Sequence, residues 1–270
     1  MIMVFVNEKP TKVVENTTLF QLRDNIKPDA DIVILNGHIM NKDVTLNNND
    51  NVVLIKRGEI PSFDELEALM IARHTPGIHK KLKKGRVAIA GLGGLGSNIA
   101  TSLARMGVGF LRLIDFDVVE PSNLNRQYYF IDQIGRKKTD ALLETLKRIN
   151  PYITYDPVDC FVNENNIKEL FHDVDVIIEA FDKAETKALL IKNCLQLFPD
   201  KLIIGASGVA GIYDTSLLKV EKLGKNVYIV GDFVNEAKPG EGLMATRVTV
   251  AANMQANIAV RYLVNDKNVF

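Results

Sequence analysis

The residues Gly91-Leu92-Gly93-Gly94-Leu95-Gly96 stand directly after the apolar run Val87-Ala88-Ile89-Ala90 and directly before the helical spacing of Ile99, Leu103 and Met106. Gly91, Gly93, Gly94 and Gly96 therefore occupy a strand-to-helix turn. Glycine there permits positive φ and close backbone approach, while the new helix points unpaired N–H groups and the positive end of its dipole at an anion. That is the chemistry of a nucleotide phosphate site. Asp115 ends the next apolar strand, Leu111-Arg112-Leu113-Ile114, and is placed to take ribose hydroxyls, with Asp117 in the same nucleotide-binding stretch. A G-x-G-x-x-G with an acid after it reads by itself most often as an NAD or FAD site. The residues beyond the second strand depart from that pattern: Asn123, Arg126, Gln127 and Lys138 cluster there, where a redox site has no need of them and a triphosphate does. Two fixed cations beside the glycine loop neutralise charge developing on a phosphoryl group.

Asp182 comes after the apolar strand Val174-Asp175-Val176-Ile177-Ile178, at the carboxyl edge of an open α/β sheet, where ligands bind. A carboxylate beside bound phosphate commonly holds magnesium. The competing reading is a helix N-cap for the segment that begins at Ala184.

The string from Gly107-Val108-Gly109 through Asp115-Phe116-Asp117 to Asn123-Leu124-Asn125-Arg126-Gln127 resembles the ThiF and MoeB adenylyltransferases, relatives of the ubiquitin-activating enzymes, and the resemblance extends from about Phe63 to the C-terminus. It implies ATP-dependent adenylylation of the C-terminal glycine carboxylate of a small β-grasp sulfur carrier, with release of pyrophosphate. It also implies roles for single residues: Gly94 approaches the nucleotide, Asp115 holds the ribose, and Asn123, Arg126 and Lys138 hold phosphates. Asp182 then binds magnesium, and Arg73 reaches the ATP of a neighbouring subunit in a homodimer. The chemistry asks for the same residue types, because a carboxylate attacking a phosphate sets anion against anion and is helped by cations and a divalent metal.

Upstream, Ile2-Met3-Val4-Phe5-Val6 and Thr11-Lys12-Val13-Val14 read as a hairpin, and Leu19, Leu22 and Ile26 recur at helical spacing. Ile32 to Leu35 and Val52 to Ile55 supply two more strands around a polar Asn47-Asn48-Asn49-Asp50 turn. This ββαββ order resembles the ThiS-type carriers themselves. Such carriers end in Gly-Gly with a free carboxylate, whereas Lys56-Arg57-Gly58-Glu59-Ile60-Pro61 runs on, so the carbonyl to be activated is locked in an amide. The segment is expected to serve as a docking or regulatory module, or simply to enlarge a core.

Ser62-Phe63-Asp64-Glu65 fits a capping box opening a helix to about Arg73, ended by Thr75-Pro76-Gly77. Lys80-Lys81-Leu82-Lys83-Lys84 reads as a solvated helical face. After Asp182 come a helix to about Phe198, a strand Leu202 to Ala206, strands at Tyr213 to Val220 and Val227 to Val230, a loop Lys238-Pro239-Gly240-Glu241-Gly242, and a core helix within Leu243 to Leu263.

The expected fold is α/β: a Rossmann-like, doubly wound, mostly parallel sheet over residues 58–270, preceded by a small ubiquitin-like β-grasp α+β domain over residues 1–57. Lys plus Arg and Asp plus Glu number 33 each in 270 residues, which gives no electrostatic reason to expect nucleic acid or a membrane surface as partner. No apolar run approaches the roughly 20 residues of a membrane span, and a cytoplasmic location is expected. The cysteines Cys160 and Cys194, with histidines lacking ligand spacing, predict neither zinc nor a covalent carrier–cysteine intermediate. ATP and magnesium are the expected ligands. An NAD-binding redox protein, a carrier-binding partner without turnover, and activation of a tRNA-linked carboxylate remain as alternatives, as does the choice between thiamine and molybdopterin as the fate of the sulfur.

Overall fold

The computed structural model describes residues 1–74, 77–237 and 242–265. The chain divides into two compact units, Met1–Ile78 and His79–Phe270. Thr75-Pro76, expected to break a helix, and most of the Lys238–Gly242 loop lie outside the described residues.

In the first unit, strands β1 (Ile2–Val6) and β2 (Lys9–Val13) form the expected hairpin. Its turn is tight because Asn7 and Glu8 both adopt positive φ, 46° and 65°. Helix α1 (Leu19–Ile26) starts at Thr18, whose side chain accepts the Gln21 N–H while the Gln21 side chain returns the bond. Strands β3 (Ile32–Leu35), β4 (His38–Ile39) and β5 (Asn51–Ile55) complete a sheet in the order β2-β1-β5-β3-β4, with β1 and β5 parallel. Val4, Val6, Leu19, Leu22, Val33, Leu46, Val52 and Leu54 close a core between the sheet and α1. This is a β-grasp fold.

The chain leaving β5 is pinned to this unit. Gly58 turns it at φ 76°, the Arg57 N–H donates to Asp31 Oδ2 at 2.8 Å, and Lys27 pairs with Glu59. Helix α2 (Phe63–Arg73) comes next, with Ser62 as N-cap accepting the Glu65 N–H at 3.3 Å. Asn7 Nδ2 donates to Glu65 at 2.5 Å, so α2 is fastened to the hairpin turn.

The second unit opens after the short helix α3 (Ile78–Leu82) with β6 (Arg86–Ala90), α4 (Gly94–Arg105) and β7 (Phe110–Asp115), a βαβ unit. Helix α5 (Lys138–Ile149) leads to β8 (Thr154–Asp159), and α6 (Ile167–Phe171) to β9 (Val176–Glu179). Then come α7 (Ala184–Leu197), β10 (Leu202–Ala206), β11 (Lys219–Lys222), β12 (Val227–Gly231) and α8 (Ala245–Leu263). The expected strand from Tyr213 to Val220 is instead a 3-10 turn, Thr215–Leu217, and then β11. Asp214 explains it: its side chain accepts the Ser216 N–H and turns the chain.

The sheet runs β11-β12-β10-β9-β6-β7-β8, parallel throughout except β11. From β6 the chain winds outward through β7 and β8, then returns to the other side of β6 as β9. Loops leaving β6 and β9 therefore diverge at a topological switch point, and a crevice opens at their carboxyl ends. Ala88, Ala90, Ile114, Phe171, Ile177, Leu190 and Ile203 fill the core on one face of the sheet, together with buried Cys194. No helix among the described residues is long and apolar enough to cross a membrane.

Candidate active site

The glycine loop sits at this switch point. Gly91 has φ 94°, and a side-chain carbon there would lie 2.7 Å from the Ala180 carbonyl oxygen in the loop after β9. At Gly96 the same carbon would lie 1.8 Å from the Gly91 carbonyl oxygen, so the first turn of α4 sits directly on the loop. Gly93 and Gly94 face open or side-chain-lined space instead: the nearest atoms to a carbon added at Gly94 are Val248 Cγ1 at 3.0 Å and Arg126 Cγ at 3.4 Å. Gly93 is the N-cap of α4, and no side chain caps the helix. The first-turn amides are thus left to an anion.

Asp115 is buried at the end of β7, and both carboxylate oxygens are engaged: Oδ2 accepts the Leu92 N–H at 2.6 Å and Oδ1 the Asp117 N–H at 2.8 Å. It shapes the glycine loop and keeps further lone pairs for hydroxyl donors. The Tyr129 hydroxyl donates to the Leu92 carbonyl at 2.8 Å, and burial, with Asp115 and Asp117 nearby, pushes that phenol well above its ordinary range. The Tyr128 N–H reaches Ser97 Oγ, which itself donates to the Gly93 carbonyl. Ser97 and Tyr129 are supports that the sequence pattern alone does not single out. Ser97 carries a legible signal, four residues after Gly93 on the first turn of a helix.

Asn123 is buried, and its side-chain oxygen accepts the Glu120 N–H at 3.0 Å, fixing the 3-10 turn Pro121–Asn125. That turn delivers Arg126. Its carbonyl receives a bond from Asn98 Nδ2, and its guanidinium donates to Asn125 Oδ1 at 2.8 Å, while Asn125 Nδ2 reaches the Leu243 carbonyl at 3.1 Å. Partial burial lowers the Arg126 pKa, and the nearby Asp182 charge works against that shift. Among the described residues no carboxylate forms an ion pair with Arg126. Gln127 is also buried, with Oε1 lacking any partner and Nε2 3.9 Å from a carbon built on Gly93. Lys138 opens α5; its buried Nζ pairs with Asp117 Oδ2 at 3.0 Å.

Asp182 is exposed just before α7. Its N-cap reading fails, since Lys183 occupies that position and no side chain caps the helix. No described group donates a hydrogen bond to the Asp182 carboxylate. Arg73 belongs to the first unit, where its Nη2 lies 3.4 Å from Glu8 Oε1 and its side chain is largely exposed. Its part in catalysis rests on the resemblance alone. The second unit thus brings together Gly91, Gly93, Gly94, Gly96, Asp115, Asp117, Asn123, Arg126, Gln127 and Lys138, with Asp182 near enough to act on Arg126.

These features define an α/β protein of the doubly wound class, whose glycine loop at the switch point is flanked by Arg126, Lys138 and the bare carboxylate of Asp182. The ThiF family pattern matches residues 67–270, and the chain belongs to that family. A ThiS-like ubiquitin pattern matches residues 2–58. The chain is 35% identical over 57% of its length to the tRNA threonylcarbamoyladenosine dehydratase of Haemophilus influenzae, and 38% over 42% to the molybdopterin-synthase adenylyltransferase of Escherichia coli. These stretches span 59% and 46% of the two relatives. Among solved structures, the E. coli tRNA N6-threonylcarbamoyladenosine dehydratase in complex with AMP superposes with a TM-score of 0.69 at 21% identity, covering 78% of this chain and 99% of that one. The microcin C7 biosynthetic enzyme MccB superposes at 0.54 and 21% identity, over 69% of this chain and 59% of its own. These likenesses show a shared fold.

The residues present fit ATP with magnesium. The open space at Gly93 and the Arg126 guanidinium, hydrogen-bonded to Ser122 and Asn125 but without a carboxylate partner among the described residues, suit an anionic phosphate, whereas the orphaned Gln127 oxygen is an acceptor and suits a hydroxyl or amino donor of the same ligand. Among the described residues no three His, Cys, Asp or Glu side chains gather as a closed metal site. The cysteines are poor nucleophiles: burial pushes Cys194 up to about 12, and burial with the Asp159 charge raises Cys160.

Proposed function

We propose that the chain is an adenylyltransferase that activates the C-terminal glycine carboxylate of a small ubiquitin-like sulfur carrier with ATP, in thiamine or a related sulfur-cofactor biosynthesis. The carrying observation is the placement of Arg126, flanked by Gly94 and Asp182 and held by Asn125 without a carboxylate partner. A carrier carboxylate oxygen attacks the α-phosphorus of ATP, the bond to the bridging oxygen breaks, and pyrophosphate leaves. Gly93 and Gly94 let the phosphates approach the α4 amides. Arg126 and Lys138 draw off negative charge, with Asn123 supporting the turn between them, and Asp115 receives the ribose. Bound magnesium, held by Asp182 and phosphate oxygens, would lower the repulsion between carboxylate and triphosphate. Arg73 would complete the site across a cytoplasmic homodimer. The β-grasp unit serves as a docking or regulatory module, and residues 58–270 form the catalytic domain.

The deciding experiment is exchange of labelled pyrophosphate into ATP, dependent on a carrier ending in Gly-Gly. Absence of exchange with every such carrier offered, alongside NAD binding, would replace this reading with the redox one. A second reading is favoured by similarity to the tRNA threonylcarbamoyladenosine dehydratases: activation of the carboxylate on a modified tRNA. Exchange stimulated by RNA bearing threonylcarbamoyladenosine, and not by a carrier, would select it.

A further inference from the structure

Asp182 has no hydrogen bond of its own among the described residues, yet its position matters to the proposed site. Something else must fix it. Three residues upstream, Glu179 ends β9 with its side chain fully buried. One carboxylate oxygen accepts the Phe181 N–H at 2.7 Å, and the other accepts the Ala206 N–H of β10 at 3.4 Å. Lys187, one turn into α7, reaches both oxygens at 2.9 and 3.2 Å and also donates to the Ala206 carbonyl at 3.2 Å. From α8, Gln255 Nε2 donates to the Glu179 carbonyl at 3.3 Å. The peptide segment carrying Asp182 is therefore gripped on both sides, at Phe181 before it and through Lys187 after it.

We propose that Glu179 and Lys187 are positioning residues that hold the Asp182 carboxylate where it meets a phosphate-bound divalent ion. This rests on the reading of Asp182 as the metal carboxylate. A buried ion pair is weak as a source of stability, because apolar residues of like volume do as well or better. Its value here is directional: a carboxylate oxygen in that place fixes one particular amide. An apolar filler would keep the fold and free the loop. Partners that orient a metal-binding carboxylate change metal affinity by about 10–100-fold when removed.

The test uses the full chain, a non-hydrolysable ATP analogue and Mn2+ as probe, with the ternary complex read by water-proton relaxation and folding by melting temperature. Glu179→Leu with Lys187→Met is expected to fold and to lose about tenfold or more in Mn2+ affinity, with affinity for the metal-free analogue unchanged. Glu179→Gln with Lys187 retained, whose amide oxygen still accepts the Phe181 N–H and the Lys187 ammonium, is expected to recover it. In the unaltered protein the Phe181 amide is expected to be protected from hydrogen exchange without metal, which keeps the idea testable should the first variant unfold. A folded Leu/Met variant that binds Mn2+ normally, or an unprotected Phe181 amide, overturns the clamp. An Asp182→Asn control that binds Mn2+ normally overturns the metal reading itself, and this inference with it.

Discussion

At the scale of single residues, the glycine loop separates folding from binding. Gly96→Ala places a carbon 1.8 Å from the Gly91 carbonyl oxygen, a backbone atom with nowhere to go. The variant is expected to lose about 3 kcal/mol or more, read by denaturant unfolding. Gly93→Ala meets nothing nearer than Gln127 Nε2 at 3.9 Å, so its melting temperature should move little while ATP affinity falls, as titration calorimetry would show. Arg126→Ala removes a side chain held only by neighbouring polar groups and should leave stability within about 1 kcal/mol. Pyrophosphate exchange is expected to drop by about 10²–10³-fold; normal exchange would remove Arg126 from the mechanism. The positions of the loop glycines and Asp115 are legible because the loop directly follows an apolar strand and Asp115 ends one, and Asp182 comes three residues after one. Glu179 punctuates one too, yet a carboxylate in that place carries no mark of whether it faces ligand or is folded inward. Only the packing of β10 and α7 around it decides.

At the scale of elements, the first turn of α8 is tied to the loops before it by a buried pair. Arg247 Nη2 meets Asp232 Oδ2 at 2.5 Å, while Nη1 donates to the Tyr213 and Asp214 carbonyls. Asp232 in turn accepts the Val234 and Asn235 N–H groups. Arg247→Met leaves Asp232 buried without its counter-charge, and a loss of about 3–5 kcal/mol is expected in urea unfolding. A smaller loss would mean that water enters the gap. Sequence periodicity reveals that α8 exists but not this tie, since Arg247 and Asp232 are joined only when β12 and α8 fold together. The strand β8 is obscure for a local reason: Pro157 argues against a strand, and it is tolerated because β8 lies at the sheet edge. Of the β-grasp strands, β1 and β5 show in the chain because inward Val4, Val6, Val52 and Leu54 alternate with outward residues, whereas the two-residue β4, exposed at both positions, leaves no such mark and is absent from the expected ββαββ order.

At the scale of the whole molecule, acid sensitivity has an identifiable source. Asp173 joins Arg86 and Arg112 at 2.6 Å each, and Arg112 also holds Asp156, so β6, β7, β8 and the approach to β9 share one charge network. Burial alone pushes Asp173 up, but hydrogen bonds from Arg112 and Arg86 outweigh it and hold the carboxyl below its usual value. A depressed folded value means stabilisation that is complete above the unfolded value of about 3.9 and is lost as pH falls below it. Melting temperature should therefore fall more steeply below about pH 4 in the natural protein than in Asp173→Asn, and equal slopes would exclude this source. Residues 1–58 are expected to fold when expressed alone, as a cooperative melt would show, because the core from Val4 to Leu54 closes without α2. The chain beyond β5 is held by Asp31 and Lys27 rather than left as a loose tail. A module so attached travels with its neighbour in one-to-one ratio, at an effective local concentration of about millimolar for a short tether. Any surface that it shares with a free carrier would confront that carrier with a rival that dilution never removes, and throughput would then be set by how well newcomers outcompete a permanent resident.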